Sequence, residues 1–145
     1  MTENEKILTQ INQITQMGQT GINCVMSRTT QPALRQALRV QRLEYQSIGA
    51  KAKILAKNKG LEIKNGSSFV HRMTNMATGA KLLKGGADEK DSMIAGMMIQ
   101  GNSRGMIQSL KQMHRATHVD PDVAQLSQKL LDTEINNIRQ MEGFV

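Results

Sequence analysis

The chain has 145 residues, a net charge of +7 and 39% hydrophobic residues, with only 2% aromatics and no tryptophan. So few aromatics, with two prolines, exclude the turn-rich pattern of a β-sandwich or barrel. One cysteine, Cys24, leaves no disulfide framework and no cysteine zinc knuckle.

Helix signals follow one another along the chain. Thr2 and Glu5 form a capping box, which satisfies free N–H groups at a helix start. Behind it Ile7, Ile11, Ile14, Gly18, Gly21 and Val25 recur at spacings of three and four, one side of a long first helix. Thr29, Thr30 and Gln31 break it, and Pro32 opens a second helix without losing an intrahelical bond. That helix runs to Asn58-Lys59-Gly60, where glycine supplies a left-handed end. After a loop turning at Asn65-Gly66, a short helix is expected from Phe69 to Lys84, carrying Val70, Met73, Met76, Ala77 and Ala80, with Gly85-Gly86 as its stop. Asp88 is expected to cap a third long helix reaching about Ala116. Asp120-Pro121 starts the last helix, whose inward series is Val123, Leu126, Leu130, Glu134, Asn137, Met141 and Phe144.

Two short links and one long one predict two antiparallel hairpins in a single domain over 1–145. The connection over about 61–87 is a helical crossover between long helices two and three. No apolar run approaches the roughly 20 residues of a membrane span, and the polar N-terminus lacks a signal-peptide profile. A reducing, cytoplasmic setting is therefore expected.

The charge is concentrated. Between Arg28 and Lys64 nine Lys and Arg residues face two acids, an excess equal to the whole net charge. Arg35, Arg39, Arg42, Lys53 and Lys57 fall on one stripe of the second helix. That stripe is either an anion-binding face for nucleic acid or an acidic protein, or a solvated outer face. Three aromatic residues cannot build a base-stacking platform, and no helix-turn-helix or zinc-finger spacing is visible.

The stretches from Ile94 to Leu110 and from Leu126 to Phe144 resemble the second half of small bacterial ferritin-like proteins; helix lengths and the position of Glu44 extend the likeness to the first half. The resemblance implies an all-α, ferritin-like four-helix bundle, expected as a homodimer or higher assembly. Metal-binding members of that superfamily hold two iron or manganese ions, with a glutamate from each of two helices and Glu-x-x-His from each of the other two. Glu44 and Glu134 occupy the corresponding places, but Ser47 and Asn137 stand where the histidines would be, and the first and third helices lack their acids. The expectation is a degenerate site with no cofactor, in a non-enzymatic interaction or structural protein. A residual metal-binding protein or oxidoreductase using Glu44 and Glu134 is the alternative. Nine helical steps from both Arg35 and Lys53 place Glu44 opposite the basic stripe, toward the bundle axis. Lys51, Tyr45 or Asn137 are candidate partners that would keep the inward carboxylates tolerable.

Other constellations are weaker. His114 and His118 have the i, i+4 spacing of a metal clip, but histidines also suit the end of a helix. The methionines from Met73 to Met113 read as adaptable core filling before copper ligands. Mid-helix glycines at 18, 21, 96, 101 and 105 disfavour helix by roughly 1 kcal/mol each, and either close helix packing or room for a bound molecule must offset this. No nucleophile or phosphate loop supports a hydrolase or kinase.

Overall fold

The computed structural model describes residues 2–81, 83 and 85–145. They form five α-helices and, among the described residues, no strand: α1 (Glu3–Val25), α2 (Pro32–Asn58), α3 (Ser67–Lys81), α4 (Ala87–Arg115) and α5 (Pro121–Glu142). A single 3₁₀ turn, Met26–Arg28, separates α1 from α2.

The expected ends hold for local reasons. Thr2 Oγ1 accepts the Glu5 amide at 3.1 Å. Pro32 occupies the first turn of α2, and Gly60, at φ 67°, takes the left-handed conformation that ends it. Two boundaries differ from expectation. α3 begins two residues earlier, because Phe69 and Val70 donate their amides to the Gly66 carbonyl and draw Ser67 and Ser68 into the helix. α4 is capped at Gly86 rather than Asp88, which lies in the first turn beside Glu89 and meets the helix dipole there. The expected positions Lys84, Ala77 and Ala80 lie outside the described residues and side chains.

α1 packs along α2 and α4 along α5, and these hairpins meet through α2 against α5 and α1 against α4. α3, in the connection between α2 and α4, lies on α1. The core joins Ile7, Leu8 and Ile11 of α1 to Leu34, Leu38 and Ile48 of α2, Ile94 of α4 and Leu130 of α5. Each of the four long helices therefore buries a stripe of three-and-four spacing; on α3 the expected Val70 is instead exposed, Met73 and Met76 are half-buried, and Phe69 is buried. No helix among the described residues is long and apolar enough to cross a membrane.

Polar contacts tie the ends of the helices together. The Asp91 carboxylate of α4 accepts the Thr30 and Gln31 amides at 2.9 and 3.0 Å, and the Thr30 hydroxyl at 2.6 Å. Gln31, the residue at the cap position of α2, makes no cap with its own side chain; Asp91 instead holds the amides of the two residues just before the helix. At the opposite end Glu3 accepts the Thr117 and His118 amides, and Asn4 Oδ1 accepts the Asp120 amide at 3.0 Å. Asp120 does not cap α5 with its side chain as its position predicts; its carboxylate instead meets Lys59 Nζ at 2.8 Å.

Candidate functional site

The inward series of α5 carries two polar residues, Glu134 and Asn137, and both are buried, 1% and 2% exposed. Opposite them the face of α4 that runs through Ile94, Ala95, Met98, Asn102 and Gly105 is buried, which brings Asn102 into the same interior. From α2 comes Tyr45, 1% exposed. Its hydroxyl donates to Asn102 Oδ1, and the phenol stands beside Glu134 and Asn137. Three helices thus converge on a cluster of one carboxyl, one phenol and two amides.

Two of the mid-helix glycines make this cluster possible. A Cβ at Gly18 would lie 2.6 Å from the Tyr45 ring, so α1 admits the phenol only because that side chain is missing. A Cβ at Gly105 would lie 3.1 Å from Glu134 Oε2 and 3.2 Å from Ile14 Cγ2. Close packing therefore accounts for Gly18 and Gly105. Gly96 and Gly101 face open space, and packing gives no reason for them.

Burial pushes the Glu134 carboxyl up to about 8, and the Tyr45 phenol alongside offsets only part of that rise. At neutral pH Glu134 is mostly a neutral acid. The phenol is held well above its ordinary range, first by burial and then by the charge that Glu134 would carry. Inside the cluster Glu134 Oε1, Asn102 Nδ2 and Asn137 Nδ2 have no hydrogen-bond partner among the described residues.

The cluster forms one end of a cavity of about 490 Å³ between α1, α3 and α4. Its buried lining includes Ile14, Tyr45, Asn102 and Glu134, and its exposed lining includes Arg72, Gln100, Gly101 and Arg104. Four methionines, Met17, Met76, Met97 and Met98, line it, as does Cys24.

No family model matches the chain, and no curated protein matches it. Among solved structures it is similar to the crystal structure of a DUF305 fragment from Deinococcus radiodurans, with a TM-score of 0.79 and 15% identity over 99% of this chain and 95% of that one. The likeness is one of fold.

The expected site residues do not all meet. Glu44 is half-buried and does not share the interior with Glu134; it lines a shallow groove with Val40, Leu43, Ser47, Lys129 and Thr133. Burial raises its carboxyl and the charge of Lys129 lowers it in part. The nearby charge is thus on α5, not on Lys51 two helical turns further along α2, and Lys51 itself is exposed. The expectation that Glu44 faces the bundle axis fails, because α5 rather than the interior lies on its side of α2. On the basic stripe Arg39, Lys53 and Lys57 are exposed. Arg35 is engaged: its Nη2 donates to the Thr29 carbonyl at 2.6 Å, and its Nε to Thr29 Oγ1 at 3.3 Å. Arg42 Nη1 donates to Asn23 Oδ1 at 3.0 Å. His114 and His118 are both exposed, and α4 ends at Arg115 between them, so they share no helical face.

Asn102 and Asp91 carry roles that the sequence reading missed. The signal was present: Asp91, Ile94, Ala95, Met98, Asn102, Gly105 and Ser109 form a buried three-and-four series along α4. Read as a stripe, it places both polar residues inward.

Proposed function

We propose that this chain is a non-enzymatic interaction protein, a ferritin-like four-helix bundle with a helical crossover whose interior polar cluster stands in place of a di-metal centre. The pairing of α1 with α2 and of α4 with α5, with α3 in the long connection between the hairpins, supports that architecture. The observation that carries the functional reading is the donor set around Glu134. A pair of iron or manganese ions needs several carboxylates and imidazoles. Here a single carboxyl, itself mostly neutral at pH 7, is surrounded by a phenol and two amides. Glu44 lies in a separate groove beside Lys129, and among the described residues no three His, Cys, Asp or Glu side chains come together. These residues do not fit a di-iron or di-manganese centre, and no redox step follows from them.

Elemental analysis tests this on protein purified without chelators and then incubated with Fe²⁺ or Mn²⁺. Well under one ion per chain is expected, unchanged by Glu44→Gln or Glu134→Gln; about two ions per chain, lost in either variant, would overturn the reading. The expected homodimer has its support in Val40 and Leu43, large apolar side chains exposed side by side on α2. Sedimentation or light scattering measures the assembly directly.

A further inference from the structure

We propose that the cavity between α1, α3 and α4 is a binding site for a small amphipathic organic anion, with an apolar body, an acidic group at the mouth and a hydrogen-bonding oxygen at the inner end. This deepens the reading above by giving the non-enzymatic interior a ligand, and it rests on that reading for the absence of metal from the same space.

Size comes first. A volume of about 490 Å³ lies within the range of small-molecule pockets, roughly 300–1,000 Å³. Charge comes next. The exposed lining carries two guanidinium groups, Arg72 of α3 and Arg104 of α4, and neither makes a salt bridge among the described residues. The one acid in the lining, Glu134, is mostly uncharged at neutral pH. The cavity therefore presents positive charge at its mouth with no anion to balance it, which favours an acidic group and repels an ammonium.

The walls and the inner end define the rest of the ligand. Met17, Met76, Met97 and Met98 offer flexible, polarizable surface that shapes itself to an apolar or aromatic body. At the inner end Glu134 is 1% and Asn102 3% exposed, and each has an unpartnered polar atom, Oε1 and Nδ2. Buried polar atoms left unpaired are destabilising by roughly 1–3 kcal/mol each, and a ligand oxygen accepting from Asn102 Nδ2 and from the Glu134 acid proton would relieve both. Gly101 is an independent sign. It sits mid-helix in the lining, where a Cβ would meet nothing within 4 Å. No side chain therefore narrows the exposed lining at that position.

The probe is 8-anilinonaphthalene-1-sulfonate, an apolar double ring with one sulfonate, compared with N-phenyl-1-naphthylamine, the same body without the acid. Both are titrated by fluorescence and calorimetry into the full chain, with thermal melts confirming a cooperative fold. The sulfonate is expected to bind once per chain and about tenfold more tightly than the neutral compound. The double variant Arg72→Gln/Arg104→Gln should erase that preference and leave the neutral compound unchanged. Gly101→Leu, which adds a bulky side chain to the lining at an open helical position, should abolish both. Absence of sulfonate binding, equal binding of both probes to the wild type, or binding untouched by Gly101→Leu would overturn the proposal. Because no metal is added, a failure here is distinct from a failure of the metal-content experiment.

Discussion

Asp91 anchors the turn that leads into a helix to which it does not belong. Its carboxylate accepts both the amide and the hydroxyl of Thr30, which precedes it by 61 positions, and so joins the start of α2 to the first turns of α4. Burial alone would raise the Asp91 carboxyl, but the Thr30 hydroxyl and the Thr30 and Gln31 amides hold it below its ordinary value. The amides that lead into α2 are thus satisfied by tertiary contact.

Replacing Asp91 by alanine should destabilise the protein by about 2–3 kcal/mol at pH 7, since three hydrogen bonds to one buried carboxylate are lost. A carboxyl whose folded pKa is depressed stabilises above its unfolded value, and that contribution disappears as pH falls through the folded value. Urea denaturation at pH 7 and below pH 3 checks this: the gap between wild type and variant should be wide at the first and narrow at the second.

Glu134 behaves in the opposite sense. Its carboxyl rises from 4.5 unfolded to about 8 folded, so the folded state binds the extra proton. The associated stability is complete below about pH 4.5 and is lost progressively until pH passes about 8. The loss is on the order of 5 kcal/mol. Glu134→Gln, which cannot ionise, should flatten this dependence, with a melting temperature above wild type at pH 9 and near it at pH 5. A variant that melts below wild type at both pH values would contradict this.

The glycines separate into two groups. Gly18→Ala must push a Cβ into the buried Tyr45 ring, 2.6 Å away, and should destabilise by about 1–3 kcal/mol. Gly96→Ala meets nothing within 4 Å and should stabilise α4 by roughly 0.5–1 kcal/mol through helix propensity. Chemical denaturation of both variants measures the opposite signs.

On the basic face, Arg35→Gln should lower the melting temperature, because the guanidinium holds the Thr29 carbonyl at the break before α2. Arg39→Gln should leave it unchanged, since that side chain is exposed. If the stripe binds nucleic acid, neutralising Arg39, Lys53 and Lys57 together should abolish a gel shift at low salt while the melt is unaffected. A shift that survives the triple change would remove those residues from any such face.

The helices, their order and the buried stripes of α1 and α5 were written in the sequence, because capping residues, prolines, glycines and three-and-four spacing act within a few residues of one another. Thr2, Pro32, Gly60 and the α5 series from Val123 to Met141 all did what local physics demands. Which buried groups meet was decided only when the helices packed. Glu44 and Glu134 look equivalent along their helices, yet one opens to a groove beside Lys129 and the other to the interior with Tyr45 and Asn102. Helical periodicity sets an angle about one axis; the neighbour found at that angle depends on how the other axes are placed. The same limit hid the Asp91 contact with Thr30 and Gln31 and the lining of the cavity, since both are made by residues that come together only in the folded chain.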